Sequence, residues 1–480
     1  MRTSLPILAL TSSLALTNAA RAYSEWLASS FIDRQTPIDA GYGPAVLWEG
    51  IARAGAHISP TSPLLKAAEA KVSSLVSADG TLDGWDPEWY SLDDIRIGNN
   101  LLYFYQRSGD AKLKTAADGL RQQLNRWPRT PSGGFWHRAP IYEDQMWLDG
   151  IYMADTFYAT YVSLFERENV TAWEEIALQF DLIEEHCRNH TSNLLVHGYD
   201  EARDAVWADP VTGASPLVWN RAVGWYFMAL IDTLQVYPSD LPGYARLLGY
   251  FVTLADGLER SQDAGGGWWL IMNEGYETRK GNYIEASATA MFSYGLLRGV
   301  RAGFLEEKYK AVGLKAYELL VDEFVREDGN GTISFLGTVQ VGSLNSNASF
   351  EPTAPPAANP AMTAQEPGPS KNPAAPTESS ASETESSSQD SRNQIAAEEQ
   401  QQGVRRREGR QRQVYEYQQG EDGSTAQQVA PQNGQQVQSK SKGAPSVRLD
   451  MDLDVDIELK AKIQGDLTLS ILGGNQERKK

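Results

Sequence analysis

Asp93, in SLDDIRIGNN, and Asp149, in QMWLDGIYMAD, are the two carboxylates of this 480-residue chain whose settings best suit proton transfer. Each follows a leucine, comes just after a loop rich in aromatic residues, and stands where helical spacing begins. Two carboxyl groups at one site can split their proton affinities, so that one stays a neutral acid while the other stays ionised. Asp149, behind Met146 and Trp147, is expected to face a partly apolar site that pushes its pKa up, toward proton-donor duty. An acid at a helix start has a plainer use too, capping free N–H groups and opposing the helix dipole. That plainer use is assigned to Asp94, Asp144 and Asp204; Asp200 with Glu201, in HGYDEA, forms a further acidic pair of the same kind.

Other reactive types cluster in the same loops. His137 and Arg138 lie together in GGFWHRAP, and His197 opens HGYD. A loop histidine serves equally as an internal hydrogen-bonding group or as a substrate contact. Arg221 stands between Trp219 and Trp225 in WNRAVGW, and its guanidinium offers a fork of donors suited to a carboxylate. Trp85, Trp89, Tyr90, Trp136, Tyr142, Trp207, Trp268 and Trp269 add flat apolar faces on which sugar rings can lie. Aromatics, an arginine and several acids together suit a uronic-acid saccharide. The glycines of GGFWH and AGGGWW lack the pattern of phosphate loops, GxSxG is absent, and no HExxH-like set is present. No metal or other cofactor is expected.

The elements that must position these residues are helices. From Tyr23 to Asp328 the apolar spacing is helical nearly throughout, and the segments come in pairs. The spacing predicts Pro44–His57 with Ser62–Val76, Asp93–Arg107 with Ala111–Trp127, and Gln145–Phe165 with Thr171–His190. Leu217–Val236 with Leu241–Ser261 and Ile284–Val300 with Glu306–Arg326 follow, and a lone helix near Tyr23–Phe31 precedes them all. The long loops fall between pairs, which predicts a toroid whose inner helices start on one face, with the loops gathered there around one pocket. The last inner helix should follow GNGTISFLGTVQVGSLNSNASFE, but the sequence turns instead into TAPPAANPAMTAQEPGPS.

Composition divides the chain into four parts. Residues 1–22 combine a basic start, an apolar run and a small-residue cleavage site, and are expected to be a secretory signal peptide. Residues 23–351 form the helical domain, 352–446 are expected to be disordered because they hold almost no large apolar residues, and 447–480 alternate like strands. Asn169, Asn189, Asn330 and Asn347 begin glycosylation triplets, in keeping with secretion. With Cys187 alone, no intrachain disulfide can form. The formal net charge of −19 argues against nucleic acid and anionic membrane as partners. A monomer acting on an unsaturated uronic-acid oligosaccharide is the expectation.

The runs PRTPSGGFWHRAPIYEDQMWLDGIYMADTFYATY, LDDIRIGNNLLYFY, HGYDEARDAVWA, SPLVWNRAVGWYFMALID and GNYIEASATAMFSYGLLRGVRAGFL resemble the unsaturated rhamnogalacturonyl hydrolases, glycoside hydrolase family 105, over roughly Tyr23 to Phe350. The resemblance implies an all-α (α/α)6 barrel, here lacking its last helix and followed by a low-complexity tail. It implies hydration of the C4=C5 double bond of an unsaturated galacturonyl end, with Asp149 as general acid/base and Asp93 as its partner. His137, Arg138, His197, Trp219, Arg221 and Trp225 match substrate-binding positions; Arg138 replaces the family's lysine. An unsaturated glucuronyl substrate, or saccharide binding without turnover, are the alternatives.

Overall fold

The computed structural model describes residues 22–339, Gly342 and Leu344, together with the backbone of three C-terminal strands. By contact the chain divides into residues 1–360 with 445–480, and residues 361–444; the latter unit, residues 1–21 and the whole of the segment expected to be disordered lie outside the described residues.

The helical pairs form as their spacing predicts. The lone helix α1 (Tyr23–Asp33) precedes α2 (Tyr42–Ile58) with α3 (Pro63–Ser74), then α4 (Ile97–Ser108) with α5 (Ala111–Asn125). The third inner rod is composite: α6 (Leu148–Gly150), a π-helical turn (Ile151–Asp155) and α7 (Thr156–Phe165) run on without a break, paired with α8 (Val170–Cys187). The last pairs are α9 (Asn220–Leu234) with α10 (Pro242–Ser261) and α11 (Ala286–Arg301) with α12 (Lys308–Leu319). Inner helix packs on inner helix around the ring, α2 on α4, α4 on α7, α7 on α9 and α9 on α11, each backed by its outer partner. The architecture is the (α/α)6 barrel. Side chains with local capping duty mark the entries: Ser62, Asp110, Asn169 and Glu285 each accept a backbone N–H of the helix that follows.

No inner helix follows α12 among the described residues. After a π-helical turn (Leu320–Phe324) comes a hairpin of β5 (Val325–Glu327) and β6 (Ile333–Phe335), which packs on α1. Arg34 pairs with Asp328 at 2.6 Å, Ser30 Oγ accepts the Ile333 N–H at 2.9 Å, and Trp26 donates to Gly331 O at 2.8 Å. The hairpin thus joins the end of the circuit to its beginning in the outer layer. In the C-terminal segment, Val447–Leu449, Ile457–Lys462 and Asp466–Ile471 form an antiparallel three-stranded sheet in that order.

What positions the site is a belt of short backbone ladders linking the starts of the inner helices. β1 (Tyr90–Ser91) pairs with β2 (Arg138–Ala139), and β3 (Gln145–Trp147) pairs with β4 (Gly198–Asp200). His197 N–H donates to Leu217 O, Asn220 N–H to Leu270 O, and Ala286 N–H to Gly337 O. Isolated bridges join Trp219 to Ile271 and Trp269 to Ile284. α4 and the α6–α7 rod therefore begin just after a strand paired with the next loop, and α9 and α11 just after an isolated bridge residue. The helix pairs supply the bulk of the core, while the belt sets the registration of the loops.

Candidate active site

The two carboxylates are positioned by the same local device used twice. Leu92 N–H, at the end of β1, donates to His137 O at 3.1 Å; Leu148 N–H, at the end of β3, donates to His197 O at 3.0 Å. In both places a Leu-Asp step turns out of a strand into a helix, beside a histidine on the adjoining loop. At the second, His197 Nε2 lies 2.9 Å from Asp149 Oδ2. At the first, Arg138 takes the carboxylate instead, with Nη2 3.0 Å from Asp93 Oδ2 and Nε 3.3 Å from Ser91 Oγ. Close backbone approach needs glycine at two points. A Cβ on Gly198 would lie 2.6 Å from Met146 O, and one on Gly150 would meet Leu92 Cδ1 at 2.7 Å.

Aromatic rings wall this pair of acids. Trp147 stacks on His137 with centroids 4.4 Å apart and on Tyr142 at 4.6 Å, and it meets His197 edge-on at 5.4 Å. His197 also leans on Trp219 at 4.8 Å. On the other side Trp225 stacks on Tyr152 at 4.9 Å and meets the ring of Tyr42 edge-on at 6.3 Å. Tyr42 was not among the residues expected at the site. Burial and the negative charges of Asp93 and Asp149 raise its phenol pKa, against the pull of Arg221 and Arg138. Tyr42 thus lies within electrostatic reach of all four charged groups. Its sequence context, GYGP at the start of a helix, carries no chemical signal, and only the ring closure of α2 onto the pocket reveals it. If Tyr42 hydrogen-bonds the sugar, Tyr42→Phe should raise KM roughly tenfold, the value of one hydrogen bond to a charged or polar partner, with little change in circular dichroism; an unchanged KM and kcat would remove it from the site.

The proton affinity of Asp149 runs opposite to the expectation from sequence. Burial does push its carboxyl up, but the charge and hydrogen bond of His197, with a further pull from His137, outweigh burial and hold it below its ordinary value. An apolar neighbourhood was legible at Met146 and Trp147; the histidine 48 positions away was known only as a separate loop residue. Such a carboxyl contributes stability above its unfolded pKa and loses it as pH falls through the lower folded value. In His197→Gln the pull is removed and burial dominates, so the Asp149 pKa should rise. If Asp149 acts as the acid, the high-pH limb of kcat/KM should then move to higher pH while the absolute rate falls; a limb that stays put or moves down would separate Asp149 from that role.

Several other residues take duties different from those expected. Arg221 is only 9% exposed, and its donors are engaged: Nε donates to Ser287 Oγ at 2.8 Å, and Nη2 meets Glu285 at 3.3 Å and Val339 O. Glu285 also accepts the Val339 N–H at 2.9 Å, and Gly342 packs against the Trp219 indole. Arg221 thus ties the segment after β6 to the rim, and its fork is not an open carboxylate clamp. Asp144 does not cap a helix; it sits at φ 55° and accepts the Trp136 indole N–H at 3.0 Å. Asp200 lies in β4, not at a helix start, and gathers the N–H groups of Ala202, Asp204 and Ala205 to fold its own loop. Trp268 is wholly buried core rather than a sugar platform. Among the described residues no group of three or more His, Cys, Asp or Glu side chains could hold a metal ion.

Comparison with known proteins bears on this arrangement. The model of Glycosyl Hydrolase Family 88 matches residues 23–348. The chain is 41% identical over 156 residues to protein Atu3128 of Agrobacterium fabrum, matching 32% of this chain and spanning 65% of that protein's length. It is 27% identical over 261 residues to unsaturated rhamnogalacturonyl hydrolase YesR of Bacillus subtilis, covering 53% of this chain and 69% of that one. Among solved structures, a family 105 glycoside hydrolase from C. acetobutylicum superposes with a TM-score of 0.63 at 34% identity, covering 68% of this chain and 92% of the other. The unsaturated glucuronyl hydrolase of Bacillus sp. GL1 shares the fold at 11% identity and a TM-score of 0.50, covering 66% of this chain and 87% of that one. With the family model spanning the whole helical domain and both Leu-Asp steps at the mouth of an (α/α)6 barrel, the chain belongs to the glycoside hydrolases of families 88 and 105.

Proposed function

We propose that this protein is a secreted hydrolase of unsaturated galacturonyl residues at the non-reducing ends of rhamnogalacturonan oligosaccharides. The observation that carries the reading is the Asp149–His197 pair standing beside the Asp93–Arg138 pair, with Tyr42 in the field of both carboxylates. Similarity to the rhamnogalacturonyl hydrolase of B. subtilis supports the galacturonyl substrate over the glucuronyl one, and the composition of residues 1–22 supports secretion.

The chemistry follows from the substrate. A C4=C5 double bond beside the ring oxygen is a vinyl ether, and a proton placed on C4 leaves positive charge shared by C5 and that oxygen. Asp149, neutral at that moment, gives the proton; its carboxylate then takes one from the water that adds to C5. The hemiketal opens by breaking the bond from C5 to the ring oxygen, and the hemiacetal left at C1 releases the rest of the saccharide as an alcohol. No covalent enzyme intermediate is needed. Bound sugar excludes the remaining water from Asp149 and brings the uronate's negative charge near it, and both raise its proton affinity for the first step. Arg138, held by Asp93, presents positive charge to that uronate.

Purified protein given an unsaturated galacturonyl-rhamnose disaccharide should abolish the ultraviolet absorbance of the conjugated alkene. In D2O, quenched early and corrected for exchange of isolated product, the released uronate should carry deuterium at C4. Cleavage without that deuterium would mean direct displacement at the glycosidic bond, and consumption of only the glucuronyl analogue would reassign the substrate.

A further inference from the structure

Three of the four glycosylation triplets lie among the described residues, at Asn169, Asn189 and Asn330. An N-linked glycan hangs from the side-chain nitrogen of the asparagine, so the folded protein must leave that nitrogen exposed, clear of other duty and surrounded by room. Asn169 uses both ends of its amide: Oδ1 accepts the Ala172 N–H to cap α8, and Nδ2 donates to Glu166 Oε2 at 3.1 Å. Asn330, which is exposed, uses one end. The Thr332 N–H donates to its Oδ1 at 3.0 Å, and the Thr332 hydroxyl lies 2.7 Å from the same oxygen. These contacts orient the amide through its oxygen and leave Nδ2 without a partner among the described residues. Asn330 stands at the tip of the β5–β6 hairpin between Gly329 and Gly331, both at positive φ. A Cβ on either glycine would meet nothing within 4 Å, so the space beside the turn is open.

The fold also supplies a surface for a sugar. At positions four apart along α1, Trp26, Ser30 and Arg34 hold the hairpin: Trp26 Nε1 donates to Gly331 O at 2.8 Å, Ser30 Oγ accepts the Ile333 N–H at 2.9 Å, and Arg34 Nη2 donates to Ile333 O at 2.9 Å. This row reaches the tip at Trp26, whose half-buried indole is fixed by its N–H against the residue next to Asn330. The ring of Tyr23 lies nearly parallel to it, with centroids 6.4 Å apart. An aromatic face carries negative potential, and the C–H groups on one side of a pyranose ring settle on it.

We propose that Asn330 carries an N-linked glycan whose first N-acetylglucosamine lies on the Trp26 indole and covers the junction of the hairpin with α1. That junction joins the end of the helical circuit to its beginning, and no inner helix follows α12 among the described residues to reinforce it. The sugar adds apolar contact where the protein has an open turn, and so holds the hairpin on α1. The modification rests on the proposed secretion, because the glycan is attached on the export route; it does not rest on the hydrolase activity.

Occupancy is tested in a yeast host that attaches N-glycans, with the host's own leader in place of residues 1–22. Enzymatic release in water enriched in 18O converts an occupied asparagine to labelled aspartate, and peptide mass spectrometry should find that label at Asn330. An unlabelled Asn330 in the secreted protein would overturn the site. Export under the chain's own residues 1–22 is followed separately, so a failure of the secretion reading is not mistaken for a failure of the site. For the role, protein with its glycans trimmed to the first sugar should melt roughly 1–4 °C above the same chain made in a bacterial host without glycans, the shift expected from one aromatic contact. In Trp26→Leu that part of the gain should vanish while Asn330 stays occupied; an equal gain in both chains would remove Trp26 from the role. A measurement on the unsubstituted chain stands beside it. The protons of the Asn330 sugar, assigned by their loss in Asn330→Gln, should move upfield in the ring current of the indole, and shifts equal to those of the free sugar would sink the contact.

Discussion

Asp149→Asn should lower kcat by about 10²–10⁴-fold, the usual contribution of a general acid or base. The substitution is nearly isosteric, and the Asn side-chain oxygen can still meet His197 Nε2 where Asp149 Oδ2 does, 2.9 Å away. What is lost is the ability to give a proton to carbon and take one from water, two steps that no neighbouring group is placed to share. His197 is tied to Asp149, His137 is walled in by Trp147, and Asp93 is held by Arg138. KM should change much less than kcat, because the aromatic and arginine contacts proposed to hold the sugar are left in place. A steady-state assay following alkene absorbance checks both numbers. Retention of more than a tenth of wild-type kcat would assign the proton transfer to another group.

The second large effect is on stability and comes from inside the barrel. Arg96, 1% exposed, projects from the inner layer into an ion pair with Glu49 on α2 and donates to Tyr152 OH at 2.9 Å and Thr156 Oγ1 at 3.2 Å. Glu49 also accepts from Arg53 at 2.7 Å, so one carboxylate serves two guanidinium groups. Glu49→Gln should destabilise the domain by about 3–5 kcal/mol, because Arg96 is left as a buried charge without its counterion. Replacing both partners by apolar residues of similar volume should cost less than removing one, and that comparison isolates the uncompensated charge from lost packing.

The sign of the pH dependence is set by the same pair. Burial raises the Glu49 carboxyl, but Arg96 and Arg53 together pull it below its ordinary value of 4.5. Its contribution is therefore present above the unfolded pKa and lost as pH falls through the lower folded one. Wild type should lose stability in acid more steeply than Glu49→Gln, whose curve lacks this component; chemical denaturation at neutral and acid pH would show the two curves converging. Arg96 also lies over the Tyr152 ring, 4.3 Å from its centroid, and Tyr152 carries Trp225, so the variant's KM should rise as well.

The helical pairs were legible in sequence because apolar spacing reports one buried face, and a helix's face is decided by residues within a few turns of one another. α8 begins and ends within three residues of its expected bounds, and α10 within one. The two acids were legible for a related reason: each stands at a change from loop to helix, and such a junction leaves a local mark. The segment from Gln145 was less clear, since a short strand runs straight into a helix and Asp149 is its second residue rather than sitting a turn inside. A three-residue strand has too few positions to display a period of two.

Pairings between loops left no such mark. Nothing near Asp149 announces that β3 lies along β4, yet that ladder brings His197 to it and reverses the direction of its pKa shift. Nothing in WNRAVGW tells an arginine that binds substrate from one whose donors are taken by Glu285, Ser287 and Val339, and nothing in GYGP marks a catalytic neighbourhood. Hydrogen bonds across 48, 64 or 118 positions are chosen by the closing of the ring, not by local propensity. The sequence by itself determined the helices, their order and which residue types meet at the mouth of the barrel. Only the tertiary structure decided that His197 meets Asp149 while Arg138 takes Asp93, because that depends on the belt of strands where separate loops meet.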